Sequence, residues 1–381
     1  MAMKFGKKNE IKIDPLAYNM MLIGESGIGK TTIIKEYCEK LAGEDGYMFL
    51  EMGKEDGADA INGIQYLTCP EWDAEYDEMT NTIGFNTFIE DVIKNRSTDW
   101  KDLKVVVIDT LDELFAIAEP EVIRMHNKEN PNKRVKSIKA AFGGFMAGED
   151  KAIEIVQDRL WSLKSVGVSF IIIGHTKTRN VTDPVTGEDY MQMTTNMSQR
   201  SFNAIKTKVH FLPVASVDRN IIKEKGKKNV VTGEVETKGV LKGETRKITF
   251  RDDNFVIDSK SRFANIVPEI PLDADALIEA ITDAIKAEQS KSGVSLDDAK
   301  KKQAKDEKKK LERIAKQEED SKAQKELESV INEIVEWFND NKSDMSKIKP
   351  VLAACKEAGA SNPKELTNVE DAKKILAMTL Q

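Results

Sequence analysis

The chain has 381 residues, 40% of them apolar and 32% charged, and a net charge of −7. This excludes a chain disordered over most of its length and a blanket-basic nucleic-acid coat, so any contact with a polyanion must come from a local patch. Cys38, Cys69 and Cys355 stand in no CxxC spacing and no histidine lies four residues from another, which excludes a disulfide framework and a cysteine- or histidine-rich metal centre and fits a reducing compartment.

The N-terminus, MAMKFGKKNEIKIDP, carries charge where a signal peptide needs an apolar stretch. No apolar run approaches the roughly 18 residues of a membrane span. The expectation is a soluble, cytoplasmic protein with no membrane partner. From Asn19 to Phe250, short β-branched runs alternate with longer amphipathic stretches, the pattern of an α/β domain with a mainly parallel, buried sheet. Strands are expected at Asn19–Ile23, Tyr47–Leu50, Lys104–Ile108, Val168–Ile173 and Val209–Pro213, and helices at Lys30–Leu41, Phe85–Asn95 and Glu149–Ser165. After Asp218 the glycines and alternating residues, as in Lys247–Phe250, suggest antiparallel hairpins extending the sheet. Asp273–Glu288 reads as a surface helix with Leu277, Ile278, Ile281 and Ile285 on one side. Residues 299–326 hold eleven Lys/Arg and seven Asp/Glu and read as a charged helical linker. The stretch 327–381 regains apolar periodicity and reads as a small helical appendage with an unknown protein partner.

Between the first strand and the first helix lies Gly24-Glu25-Ser26-Gly27-Ile28-Gly29-Lys30-Thr31, followed by Thr32. It matches G-x-x-x-x-G-K-[ST] in the strand-to-helix setting that lets backbone N–H groups and the helix N-terminus cradle phosphates. Lys30 supplies a charge for the β- and γ-phosphates, and Thr31 a hydroxyl for Mg²⁺. Val105–Asp109 is an apolar strand ending in a carboxylate, so Asp109 is the second expected Mg²⁺ ligand. The residue after it is Thr110, not the glutamate that many ATPases use as base. Glu51, at the end of the Tyr47–Leu50 strand, leads for water activation, with Asp112 and Glu113 as competitors. His175 or Thr176, released where Ser169–Ile173 ends, is the expected γ-phosphate sensor. Arg200, Lys206 and Lys208 are candidates for a finger reaching a neighbouring subunit. A basic stretch with Lys133, Arg134, Lys136 and Lys139, followed by Phe142 and Phe145, suits backbone contact and base stacking, as does a second segment with Lys177 and Arg179.

GESGIGKTT, YMFLEMG, VVVIDT and FIIIGHTK, in this order, resemble the RecA-like ATPase core including its DnaB-type branch, while the motif order and Thr110 disfavour the AAA+ branch. More narrowly, GHTKT with RKITFRD and IDSKSRFANIVPEIPLD looks like the phage nucleotide-binding protein family, some members of which are single-strand annealing recombinases. The resemblance covers roughly residues 16–275. It implies an α/β RecA-like P-loop NTPase core over 16–272, after an N-terminal tail (1–15) and before the surface helix (273–298), the linker (299–326) and the helical appendage (327–381). It also implies ATP and Mg²⁺, a homo-oligomer with nucleotide near subunit boundaries, and single-stranded DNA as partner in phage recombination, in the host cytoplasm. A replicative helicase or loader motor, and a regulatory ATPase working through its tail, are the alternatives.

Overall fold

The β-branched runs become strands buried on both faces, as strands connected by helical crossovers must be. The structure, a computed structural model, describes residues 10–183, 186–228, 235–252, 257–291, 295–342 and 344–379. The first part of the chain runs β1 (Met20–Gly24), α1 (Lys30–Ala42), β2 (Tyr47–Met52), β3 (Tyr66–Cys69), α2 (Phe85–Lys94), β4 (Val105–Asp109), α3 (Leu111–Glu129), α4 (Ala147–Ser165), β5 (Ser169–Thr182) and β6 (Asp189–Thr195). It continues through α5 (Gln199–Lys206), β7 (Phe211–Leu212), β8 (Val214–Lys228), β9 (Val235–Thr249), β10 (Lys260–Ser261), β11 (Glu269–Pro271) and α6 (Ala274–Ser290). Three helices follow, α7 (Leu296–Asp340), α8 (Met345–Glu357) and α9 (Val369–Thr379).

The sheet order is β11-β9-β8-β1-β5-β4-β2-β3. The block β1, β5, β4, β2, β3 is parallel throughout. One strand, β5, therefore separates the P-loop strand β1 from β4, which ends in Asp109. On the other side of β1 the chain expected as one strand, Val209–Pro213, is divided. Pro213 has no N–H to give to a ladder, so β7 stops at Leu212 and β8 begins at Val214, while the Pro213 carbonyl still accepts from Ile23 N at 3.2 Å. β8 then pairs antiparallel with β9 and β9 with β11, the expected hairpin extension. Of the residues expected in the two ribbons, Gly233 and the turn at 184–185 lie outside the described residues.

Two elements differ from expectation. Helix α3 was not foreseen, because Pro120 interrupts a run whose buried Leu111, Leu114, Phe115, Ala118 and Val122 keep helical spacing. Helix α6 is no surface helix: Leu277, Ile281, Ala284 and Ile285 are buried in the same cluster as Ile33, Ile34 and Tyr37 of α1. Each fully buried aliphatic side chain there contributes roughly 1.5–3 kcal/mol.

By contact density the chain forms two units, residues 1–93 with 98–307, and residues 94–97 with 308–381. The linker expected at 299–326 is part of the continuous 45-residue helix α7. In the second unit Val330 and Ile334 of α7, Val351 and Cys355 of α8, and Ala372 and Ile375 of α9 form their own apolar cluster. Among the described residues, no helix is long and apolar enough to cross a membrane.

Candidate functional site

β1 delivers the chain to the C-terminal edge of the sheet, and two glycines allow the turn that follows. A Cβ on Gly24 would stand 2.7 Å from the Ala215 carbonyl oxygen on the neighbouring strand. Gly29, at φ 107°, occupies the left-handed region and starts α1 with no side-chain cap, so the first amides of the helix point outward without a side-chain acceptor. Ile28, 2% exposed, pegs the loop to the core.

The functional side chains converge on this edge. Thr31 Oγ1 donates to Asp109 Oδ2 at 2.8 Å. Lys30 is buried and its Nζ donates to the carbonyls of Gly24 at 3.2 Å and Glu25 at 2.9 Å, capping its own loop. Burial lowers the Lys30 pKa, against the pull of Asp109, Glu55 and Asp112. Burial also pushes Asp109 up to about 6, reinforced by Glu55 and opposed by the Thr31 hydrogen bond, Lys30 and His175.

The expected base, Glu51, lies beside Asp109 in the parallel register of β2 and β4. Its carboxyl is buried, however, and accepts from Ala58 N at 2.6 Å. Burial raises its pKa while the Ala58 and Gly57 amides oppose the rise. Glu113 packs over Gly53 and accepts from Lys54 N at 3.1 Å. Asp112 accepts from Asn196 Nδ2 at 3.1 Å and faces His175 Nδ1 at 3.4 Å. Burial acts to raise the Asp112 pKa, but His175 and Asn196 outweigh it and draw it to about 2. The Asp112 hydrogen bond in turn raises the pKa of His175, against burial and Lys30. The carboxylate that sequence reasoning missed is Glu55, half-buried on the turn after β2, whose charge bears on Lys30, Asp109 and His175 together. Its one sequence signal is its place just past a strand end on the ligand-bearing edge.

His175 sits where β5 leaves β1 and enters its ribbon with β6. Beside it, Thr176 Oγ1 and Asn196 Oδ1 are buried without a hydrogen-bond partner. Such atoms are costly unless a ligand or water meets them. Two arginines from β8 and β9 also reach the loop: Arg219 lies 3.4 Å from the Glu25 carboxylate, and Arg246 donates to the Ile28 carbonyl at 3.3 Å.

The remaining expected residues lie elsewhere. Arg200 pairs with Asp150 through both carboxylate oxygens, Lys206 with Asp258, and Lys208 is exposed. Lys133, Arg134, Lys136 and Lys139 are all exposed on the segment after α3. Of the two aromatics beyond them, Phe145 is fully exposed. Phe142 is not, contrary to expectation. Its ring meets His126 edge-on at 5.2 Å, and its amide donates to His126 Nδ1 at 3.0 Å. Lys177 projects from the β5–β6 ribbon, but Arg179 is turned inward onto the carbonyls of Thr195 and Met197.

The donor set fits the groups that the motif implies. A hydroxyl and a carboxylate meeting at 2.8 Å are the oxygen donors a hard cation takes, and the uncapped start of α1 beside Lys30 suits a polyphosphate.

The profile of the AAA domain family matches residues 16–265. The chain therefore belongs to this family of P-loop ATPase domains, and Thr110 in place of glutamate does not set it apart from an AAA assignment, as the sequence alone had suggested. A KaiC-like protein from the hyperthermophilic archaeon Pyrococcus horikoshii OT3 is similar in structure at 15% identity and a TM-score of 0.31, over 67% of this chain and 84% of that one. Among curated proteins none matches.

Proposed function

With membership of this ATPase family as the premise, we propose that the chain is a magnesium-dependent ATP hydrolase acting on single-stranded DNA in recombination or annealing of the phage type. The observation that carries the hydrolase reading is the Thr31–Asp109 contact at 2.8 Å beside Lys30. The amides of residues 25–31 and the Lys30 ammonium bind the triphosphate, and Lys30 exchanges its two loop carbonyls for phosphate oxygens. Thr31 and Asp109 would hold Mg²⁺, which when bound supplies positive charge against the β- and γ-phosphates. Glu55 takes the proton of the attacking water; Glu51, first expected there, is committed to Ala58. His175, oriented by Asp112, and Thr176 donate to the terminal phosphate. All lie on the sheet edge where ligands of open α/β sheets bind.

The DNA reading is supported by the exposed Lys133, Arg134, Lys136 and Lys139 with Phe145, a cationic segment carrying a stacking ring, and by Lys177 on the ribbon that His175 begins. Arg179 leaves that set because its guanidinium is held by the protein backbone. A homo-oligomer is part of the proposal, with Lys208 as its finger; Arg200 and Lys206 are held in ion pairs within the chain. The test is ATP turnover with and without an oligonucleotide at low salt. Turnover that rises with single-stranded DNA supports both halves. Hydrolysis indifferent to DNA, with no binding at low salt, leaves an ATPase acting through a protein partner, and strand displacement without annealing points to a helicase.

A further inference from the structure

The P-loop has two sides, and the residues just described use only one. Asp109, His175 and Glu55 lie toward β4, β5 and β2, so the terminal phosphate belongs there and the rest of the nucleotide must leave toward β8 and β9. On that side the structure holds a cleft of about 380 Å³ that begins at Gly29 and Thr32 of the P-loop. Its walls are Ile33 and Glu36 of α1, Arg246 of β9 and Leu272 ahead of α6. The volume is within the roughly 300–1,000 Å³ of small-molecule sites.

The two far walls are tied together and to the loop. Leu272 N donates to the Arg246 carbonyl at 3.1 Å, while the Arg246 guanidinium donates to the Ile28 carbonyl at 3.3 Å. This holds a planar cation beside the apolar Leu272 and Ile33, opposite a carboxylate. A flat heteroaromatic ring can lie on the guanidinium face and against the aliphatic side chains, and Glu36, an acceptor only when ionised, suits hydroxyl or amino donors.

We infer that this cleft is the nucleoside subsite, with Arg246 stacking on the base and Glu36 accepting from the sugar or base donors. The inference rests on the P-loop reading and adds to it the residues that distinguish a nucleotide from a bare polyphosphate. Arg246 belongs to no motif near the P-loop in sequence. It is brought to the site only because β9 folds back along β8, whose start pairs with Gly24.

The experiment is calorimetric titration of the full chain with ATP and with inorganic tripolyphosphate, both with magnesium, for the wild type, Arg246→Ala and Glu36→Ala. Both side chains are exposed, so the variants should fold, and thermal melting checks that they do. Wild type should bind ATP about tenfold or more tighter than tripolyphosphate, and each variant should narrow that gap to about threefold or less with tripolyphosphate affinity unchanged. Equal wild-type affinity for the two ligands, or an unaltered gap in both variants, overturns the subsite. An equal loss of both ligands in Arg246→Ala places that residue on the phosphates and also overturns it. Failure of the wild type to bind either ligand would instead bring down the P-loop reading itself.

Discussion

The C-terminal helices and the P-loop edge of the sheet bury their side chains in contrasting ways. Around Val330, Ile334, Val351 and Cys355 the buried cluster is apolar, and among the described residues no buried side-chain polar atom there lacks a partner. At the sheet edge, Lys30, Glu51 and Asp109 are all under 10% exposed, and Thr176 and Asn196 hold unpartnered oxygens. Burying charge without full compensation costs stability. A fold tolerates that cost where the charges have work to do, which is why the contrast points to the sheet edge as the place of chemistry and to the helices as a packed module.

The sharpest way to break this contrast is Lys30→Ala. Phosphate release should fall to background while the melting temperature stays level or rises, because a buried ammonium has been removed; near-wild-type turnover would end the assignment. Next in size, Glu55→Gln should cut turnover by about 10²-fold or more with ATP affinity retained. Glu51→Gln, whose carboxamide oxygen can still accept from Ala58, should hold turnover within severalfold. The reverse pattern in single-turnover assays would return the base to Glu51.

Stability measurements should separate the two regions as well. Ile334→Ala, in the apolar cluster, should destabilise the C-terminal unit by about 2–5 kcal/mol in denaturant unfolding and leave ATP turnover within about twofold. Asp109→Asn should do the opposite, stabilising the ligand-free protein while abolishing magnesium-dependent binding. The sign follows from the raised pKa: folding disfavours the ionised carboxylate, so the penalty is fully present above about 6 and is relieved as pH falls toward the ordinary 3.8. Its upper bound at neutral pH is roughly 3 kcal/mol. A lower melting temperature for the Asn variant at pH 7.5 would contradict this.

The smallest effect is a change in a pH profile. Asp112 raises the pKa of His175, so the stability that this pair gives is present below the ordinary histidine value and fades as pH rises through the folded one. Asp112→Asn should move the alkaline limb of turnover to lower pH, by up to about one unit. A limb that does not move would show that His175 acts independently of Asp112.

The sequence made the contiguous features readable. GESGIGKT is local, and the apolar runs ending at Glu51, Asp109 and Gly174 mark strands by composition alone. What it hid depends on partners distant in the chain or on backbone atoms. Periodicity showed which face of α6 is apolar but not that α1 would cover it. The strand-end position of Glu51 was plain, whereas its engagement by the Ala58 amide comes from the turn that follows. Arg219 and Arg246 reach the P-loop through the pairing of strands far later in the chain. Pro120 masked α3, and with it the histidine that draws Phe142 inward.

β5 runs unbroken from Ser169 to Thr182, its first half hydrogen-bonded to β1 and β4 and its second to β6. His175 is the fulcrum between the halves. At about 3.3 Å per residue the outer arm, from His175 to Thr182, extends roughly 23 Å, so a tilt of about 5° at the fulcrum displaces its far end by about 2 Å. A stiff two-stranded lever of this kind converts a small readjustment at the imidazole into a displacement as large as an atom's diameter, with no hinge required.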